Sequence, residues 1–132
     1  MSASILVVDD EESILTSLSS ILRDEGYDVA VVKNGLEALR VYTIDPPDLM
    51  LLDIWMPEMD GLETLRRVKE FVPATQVMMI SGHGSIETAV KAIKLGAYDY
   101  IEKPLSLENV TCRVKQAREQ RGLAQENGRW RP

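Results

Sequence analysis

The sequence predicts an α/β protein built on one parallel β-sheet, and two observations support this prediction. Five short apolar segments alternate with five longer segments of helical periodicity, the pattern that places helices on both faces of a parallel sheet. The third apolar segment, residues 49–53, runs through four apolar residues into a lone acid, Asp53, which is typical of a strand buried on both faces. The 132 residues are enough for one domain with its own core.

The first strand and helix are predicted from apolar spacing and from the residues at their ends. Residues 5–8 are rich in β-branched side chains and stop at two acids, Asp9 and Asp10. A helix beginning at Glu12 has one apolar stripe and ends near Gly26, a residue type favoured after helix C-termini. The stripe contains Ile14, Leu15, Leu18, Ile21 and Leu22.

Boundary residues also define the second and third units. Residues 28–32 form the second predicted strand, and Asn34 is suited to cap the helix that follows. The two prolines at 46–47 prevent that helix from continuing into the third strand. Asp60 and Glu63 have the spacing of a capping box, so we expect the third helix to begin there.

The last two units follow the same pattern. Residues 76–80 form the fourth predicted strand, and residues 99–101 form a short fifth strand. The fourth helix ends at Gly96, and Ser106 is suited to cap the fifth helix. The predicted buried stripes are Ile86, Ala89, Val90 and Ile93 in the fourth helix, and Leu107, Val110, Val114 and Ala117 in the fifth.

The C-terminal residues differ in character from the rest of the chain. From about residue 120 they contain two glycines, three arginines and Trp130, without an apolar period. We therefore predict a folded domain over residues 1–120 and a linker over residues 121–132 that leads toward a missing output domain.

Composition excludes several classes of function. A net charge of −6 argues against nucleic-acid binding by this domain. The one cysteine, Cys112, excludes an internal disulfide and a cysteine-based zinc cluster, and it fits a reducing compartment. Because the sequence shows no secretory signal pattern and no apolar run long enough to span a bilayer, we expect a cytoplasmic protein with no membrane partner.

Polar residues that suit phosphoryl chemistry follow separate predicted strands. Asp9 and Asp10 follow the first, Asp53 ends the third, Ser81 follows the fourth and Lys103 follows the fifth. The carboxyl ends of parallel strands lie at one edge of the sheet, so these side chains can converge. Carboxylate oxygens without a histidine or cysteine cluster favour Mg²⁺, and the lysine and hydroxyl suit a phosphoryl group attached to an attacking Asp53.

Each residue also has a purely structural interpretation. The acids at 9–12 could stabilise a helix N-terminus through its dipole, and Asp53 could cap the following turn. Taken alone, Ser81 is commonly a turn residue, Lys103 a solvated cation and His83 a loop residue. The functional interpretation depends on several such residues falling at separate strand ends.

Four segments resemble the response-regulator receiver domain of bacterial two-component signalling. They are residues 7–11, residues 52–61, Ser81 with Gly82, and Lys103 with Pro104, and the resemblance covers about residues 4 to 120. It implies a flavodoxin-like (βα)5 doubly wound sheet with strand order 2-1-3-4-5. It also implies a phospho-accepting signalling domain that catalyses only its own phosphorylation and dephosphorylation.

The family's residue roles carry over onto matching positions. Asp53 matches the phosphoacceptor, Asp10 the direct Mg²⁺ ligand and Asp9 the acid that reaches the metal through water. The backbone carbonyl of Trp55 matches a further metal ligand, beside Asp53 itself.

Ser81 matches the switch hydroxyl, Lys103 the phosphoryl-binding lysine and Tyr100 the aromatic switch. The resemblance implies a cis peptide bond before Pro104, and we expect a structural role for Gly61.

The resemblance also implies partners. Residues 81–90 and 96–100 resemble receivers of the nitrogen-regulator type, which precede a sigma-54-activating ATPase domain and a DNA-binding domain. The chain has no P-loop motif, so we expect a receiver fragment of a longer regulator, phosphorylated by a sensor histidine kinase. Phosphorylation would switch the face formed by the fourth helix, fifth strand and fifth helix, which would control a homodimer; Ala92 and Ala97 are suggested as exposed contributors.

Rival functions lack their characteristic residues. A haloacid-dehalogenase-type phosphatase needs an Asp-x-Asp pair, but Ile54 and Trp55 follow Asp53. A flavin-binding module needs a hydroxyl- and amide-rich loop where this chain has acids at 9–12. The complete set of active positions argues against a pseudo-receiver, while a stand-alone receiver that regulates a partner protein remains an alternative.

Overall fold

The computed structural model describes residues 3–56, 58–82, 86–103 and 106–127. Strands and helices alternate along the whole described chain, as the sequence predicts. Their order is β1 (Ser4–Val8), α1 (Glu12–Asp24), β2 (Asp28–Val32), α2 (Gly35–Ile44), β3 (Leu49–Asp53), α3 (Gly61–Phe71), β4 (Gln76–Ser81), α4 (Ile86–Lys94), β5 (Asp99–Glu102) and α5 (Leu107–Asn127). The strands are parallel in the order β2-β1-β3-β4-β5, which confirms the predicted topology.

The central strand β3 supplies both halves of the hydrophobic core. All five of its residues are buried, and they alternate between the two faces of the sheet. Leu49 and Leu51 join a cluster with residues of α1 and α5, while Met50 and Leu52 join a cluster with residues of α2, α3 and α4. The sheet therefore has two helices on one face and three on the other, and the prediction of a strand buried on both faces is confirmed.

The helix caps predicted at Asn34 and Asp60 and the glycine after α1 are confirmed, but the predicted capping box of α3 is only half formed. Asn34 Oδ1 accepts a hydrogen bond from the Glu37 N–H at 2.9 Å, and Asp60 Oδ1 accepts one from the Glu63 N–H at 2.9 Å. Gly26 has φ +95°, as expected for a residue just beyond a helix C-terminus. The exception is the capping box, because the Glu63 carboxylate binds Arg66 and Arg67 of its own helix instead.

Helix α4 is oriented differently from the prediction. Three members of its predicted buried stripe are largely exposed: Ile86 at 84%, Val90 at 47% and Ile93 at 48%. Ala92 is instead the fully buried residue, and Ala97 after the helix is also buried, so both are wrong as exposed contributors. The side of α4 that carries the small residue Ala92 packs against the core, so the large apolar side chains on its other side are exposed to solvent.

Helix α5 continues past the predicted domain boundary. Val110, Val114 and Ala117 are fully buried against the sheet, and the helix runs on to Asn127. The division between residues 120 and 121 stays a prediction, because the path of α5 does not say where an independently folding unit ends. Within the described residues, every helix is too short or too polar to cross a membrane.

Candidate functional site

Three carboxylates meet at the carboxyl edge of the sheet. β1 and β3 are neighbours, with Val8 opposite Leu52, so the acids that follow β1 lie beside Asp53 at the end of β3. One oxygen from each of Asp9, Asp10 and Asp53 lies within 4.8 Å of the others. Asp9 and Asp53 are buried, whereas Asp10 is exposed to solvent. The predicted convergence of these three acids is thus present in the structure.

Lys103 follows β5, the outermost strand of the sheet, and its side chain reaches this group of acids. Its Nζ lies 3.1 Å from Asp9 Oδ2, 3.2 Å from Glu11 Oε1 and 3.5 Å from Asp53 Oδ1. Its side chain is only 13% exposed, so the ammonium group sits among the carboxylates with little water around it. The single positive charge of Lys103 therefore offsets part of the negative charge of Asp9, Glu11 and Asp53.

Backbone pairing positions both Lys103 and Ser81. Ser81 ends β4 opposite Glu102 of β5, and the Lys103 N–H donates to the Ser81 carbonyl at 2.8 Å. The Ser81 side chain is fully buried at the same edge of the sheet as Asp53, which lies opposite Ile80. The predicted hydroxyl and lysine are therefore held at the strand ends next to the acids.

Asp9 is fixed by the backbone, but one of its oxygens lacks a hydrogen bond. The Asp9 N–H donates to the Val32 carbonyl at 3.3 Å, and Asp9 Oδ1 accepts from the Glu11 N–H at 2.9 Å. Asp9 Oδ2 is buried and has no hydrogen-bond partner among the described residues, because its ion pair with Lys103 lacks hydrogen-bond geometry. A buried carboxylate oxygen of this kind is satisfied by a cation.

Burial and mutual repulsion raise the pKa values of the buried acids. Burial is the main cause of the rise in the pKa of Asp53 to about 6; the Asp9 charge adds to it and Lys103 opposes it. Burial likewise raises the pKa of Asp9, against the Glu11 N–H and Lys103. Burial alone would lower the pKa of Lys103, but the carboxylates of Asp9, Asp53 and Glu11 raise it. All three shifts describe a site with excess negative charge.

The donor set fits Mg²⁺. Asp9, Asp10 and Asp53 offer hard oxygen ligands, and the exposed side of Asp10 leaves room for the water ligands that Mg²⁺ retains. A divalent cation would offset the negative charge that Lys103 alone does not balance, and it would oppose the raised pKa of Asp53. The role of the Trp55 carbonyl as a further ligand stays a prediction; its side chain is about half exposed.

The loop after β3 depends on a close backbone approach at Gly61. The Gly61 N–H donates to the Ile54 carbonyl at 2.7 Å, which places the start of α3 directly on the end of β3. A Cβ atom at Gly61 would overlap the Asp53 carbonyl and lie 2.7 Å from Ile54 Cα. Earlier in the loop, Glu58 has φ +70°, a conformation that costs energy for a residue with a side chain.

The remaining predicted site residues are Tyr100 and Pro104. Tyr100 is partly buried against the core cluster of α2, α3 and α4, and its hydroxyl is buried with no hydrogen-bond partner among the described residues. Its role as an aromatic switch stays a prediction. Pro104, with its expected cis bond, and His83 lie outside the described residues.

Glu11 belongs to the site, although the sequence pattern assigned it only to the start of a helix. Its Oε1 lies 3.2 Å from Lys103 Nζ, and its N–H holds Asp9. The only feature of the sequence that pointed to Glu11 was its position directly after Asp9 and Asp10. Its partner Lys103 is 92 residues away in the chain, so no local pattern could reveal the contact.

Comparison with known proteins gives a consistent result. The family model described as the response regulator receiver domain matches residues 5–115. An NtrX-like response regulator from Rickettsia bellii (strain RML369-C) is 46% identical over 125 residues, which are 93% of this chain and 26% of that protein. The chain therefore spans about a quarter of the length of this curated relative.

Two solved structures are similar in fold and sequence. NtrX from Brucella abortus matches 99% of this chain with a TM-score of 0.92 and 42% identity, and the match covers 30% of the NtrX chain. A beryllofluoride-activated NtrC4 receiver domain dimer matches 89% of this chain and 98% of its own, with a TM-score of 0.83 and 46% identity.

Proposed function

Because the chain belongs to the response-regulator receiver domain family, we propose that Asp53 accepts a phosphoryl group from a sensor histidine kinase. The observation that carries this proposal is the grouping of Asp53 with Asp9, Asp10 and Lys103 at one edge of the sheet. The chain is a signalling domain, and the only catalysis we propose for it is its own phosphorylation and dephosphorylation.

In the proposed reaction, an Asp53 carboxylate oxygen attacks the phosphorus of a phosphohistidine in line. The new O–P bond forms as the P–N bond breaks, and the imidazole leaves with a proton from solvent. Lys103, already 3.5 Å from Asp53, donates to a phosphoryl oxygen. Asp9 and Asp10 would hold Mg²⁺, which when bound neutralises charge on the phosphoryl oxygens. Water later hydrolyses the acyl phosphate.

The phosphoryl group acts as a switch in this proposal. Ser81 donates its hydroxyl to a phosphoryl oxygen and moves toward Asp53, and Tyr100 occupies the space that the movement creates. The buried Tyr100 hydroxyl has no hydrogen-bond partner in the described part of the chain, so no polar contact described there fixes the position of this ring. The two packings would differ at the surface formed by α4, β5 and α5.

The exposed side of α4 supports a homodimer of phosphorylated chains. Ile86, Val90 and Ile93 recur at helical spacing and are exposed, which is unusual for large apolar side chains unless another surface covers them. The similar NtrC4 receiver is described as a dimer in its beryllofluoride-activated state. We propose that this surface forms the dimer contact here.

The parent protein is proposed from the relatives' names and lengths. The chain covers 26% of the NtrX-like regulator and 30% of the NtrX chain. We propose that this receiver controls an ATPase domain and a DNA-binding domain in a longer cytoplasmic regulator of sigma-54-dependent transcription.

Light scattering after size-exclusion chromatography tests the switch. We expect Mg²⁺ and acetyl phosphate to convert the wild type from monomer to dimer, and the double variant Val90→Ser, Ile93→Ser to stay monomeric while gaining the same phosphoryl mass. Ile44→Ser is a matched control, because Ile44 is also highly exposed but lies on α2. A double variant that dimerises like Ile44→Ser would exclude this surface.

A further inference from the structure

An open groove runs between α2 and α3, away from the carboxylate site. Its volume is about 590 Å³, and both helices contribute to its lining. The lining includes Leu36, Leu39 and Arg40 of α2, and Arg66, Arg67 and Phe71 of α3. The proposed phosphorylation and the proposed α4 dimer contact leave this groove without a role.

The apolar part of the groove is exposed and continuous with the core. Leu36 is 48% exposed and Phe71, the only phenylalanine in the chain, is 57% exposed. Leu39 between them is partly buried against the core cluster of α2, α3 and α4. Exposed apolar side chains that form a contiguous patch beside a concave surface are typical of sites that bind another protein segment.

The arginines of the groove are held in position. Arg66 binds Glu63 at 2.6 Å and Glu70 at 2.8 Å, and Arg67 binds Glu63 at 2.7 Å. The hydrogen bonds from Arg66 and Arg67 lower the pKa of Glu63 to about 2. Both arginine side chains remain about half exposed. Arg66 donates to Glu63 or Glu70 from all three of its guanidinium nitrogens and Arg67 to Glu63 from Nε, so each keeps further N–H groups that are not bonded to these glutamates.

Arg40 adds a cation that has no ion pair among the described residues. Three arginines and one glutamate, Glu70, line the groove, whereas the whole chain carries a net charge of −6. With Glu63, which pairs with Arg66 and Arg67, this region holds three arginines and two glutamates, so its net charge is +1, carried by Arg40. The groove therefore differs in sign from the chain as a whole, which favours the approach of carboxylates.

We propose that the α2–α3 groove binds an acidic amphipathic helix of a partner protein. The apolar side of that helix would cover Leu36, Leu39 and Phe71, and its carboxylates would pair with Arg40 and with the remaining N–H groups of Arg66 and Arg67. The exposed apolar side chains and the small net charge of the groove disfavour a polyanion such as nucleic acid as the occupant.

Synthetic peptides test this proposal on the full chain. The probe is a fluorescein-labelled amphipathic helix of roughly four turns, with leucine at the positions of one face and glutamate on the other. The matched probe has lysine in place of every glutamate. We expect the acidic peptide to bind at least tenfold more tightly by fluorescence anisotropy, and amide NMR shifts to change in α2 and α3.

Variants of the groove and matched variants elsewhere decide where the peptide binds. We expect Leu36→Ser and Arg40→Ala each to weaken binding of the acidic peptide about tenfold. Ile44→Ser on the same helix and Arg118→Ala on α5 should leave it unchanged, because these exposed residues do not line the groove. Unchanged melting temperatures would show that all four variants are folded.

Three results would overturn the proposal: equal binding of the acidic and basic peptides, equal losses in the groove and control variants, or shift changes confined to other elements. Because Asp53→Asn leaves the groove intact, this variant should bind the peptide like the wild type. The groove and the proposed phosphorylation can therefore fail independently.

Discussion

Lys103 Nζ lies 3.5 Å from Asp53 Oδ1, although the strands that position the two residues, β5 and β3, are separated in the sheet by β4. The same nitrogen reaches Asp9, which follows β1, one strand further away. The lysine therefore connects the outermost strand β5 to the central strand β3 and to its neighbour β1. A phosphoryl group on Asp53 would meet this cation without a large rearrangement of the chain.

The pH dependence of stability should report the buried charge of Asp53. The folded pKa is raised from 3.8 to about 6, so the folded state binds more protons than the unfolded state between these pH values. The metal-free protein thus loses stability as the pH rises through this interval. In EDTA at pH 7, we expect Asp53→Asn to be more stable than the wild type, by up to about 3 kcal/mol.

Urea denaturation measures this difference in unfolding free energy as a function of pH. The gap should close as the pH is lowered from 7 to 4, because a protonated Asp53 is neutral like asparagine. Saturating Mg²⁺ should also reduce the gap at pH 7. A constant gap from pH 4 to pH 7 would contradict the raised pKa of Asp53.

Gly61→Ala should destabilise the domain by about 2–3 kcal/mol, because the added methyl group overlaps the Asp53 carbonyl and approaches Ile54 Cα. Gly82→Ala is the matched control. A Cβ at Gly82 would meet Lys103 Cδ at 3.5 Å, an ordinary contact. Chemical denaturation of both variants gives the comparison, and equal effects would show that the approach of α3 to β3 is not as tight as described.

Glu58→Gly should raise the free energy of unfolding by about 0.5 kcal/mol. Relief of the positive φ gains roughly 1–2 kcal/mol, and the greater chain entropy of glycine in the unfolded state offsets part of that gain. The same substitution at Glu25, where φ is −83°, should instead be destabilising. If both variants lose stability to the same extent, Glu58 is not strained.

Binding of Mg²⁺ should change the fluorescence of Trp55, whose side chain is about half exposed and whose carbonyl is the predicted further ligand. The titration is best done with Trp130→Phe, which removes the other tryptophan. Ca²⁺-free buffer and an Asp10→Asn variant provide the control, because loss of a carboxylate ligand should weaken the Mg²⁺ response. A response that is unchanged in Asp10→Asn would place the metal elsewhere.

The strand order is implied by the resemblance to the receiver family, whereas the meeting of the acids follows from parallel strand ends at one sheet edge. The sequence does not predict which side of α4 is covered. Apolar spacing shows that Ile86, Val90 and Ile93 share a side of the helix, but whether another layer covers that side depends on the tertiary structure.

The sequence also does not predict the partners of two glutamates or the backbone conformation of a third. Glu63 has the spacing to complete a capping box, yet two arginines on its own helix offer charged partners that a backbone N–H cannot match. The contact of Glu11 with Lys103 joins distant parts of the chain and has no local pattern. The positive φ of Glu58 is likewise not predicted by its residue type, because glutamate rarely adopts this conformation.

Intact-protein mass spectrometry after incubation with acetyl phosphate and Mg²⁺ tests the central claim most directly. The wild type should gain the mass of one phosphoryl group, and hydroxylamine, which cleaves acyl phosphates, should remove it. Asp53→Asn should gain none under the same conditions, while EDTA should prevent the gain in the wild type. The same mass gain in Asp53→Asn as in the wild type would contradict the assignment of Asp53 as the phosphoacceptor.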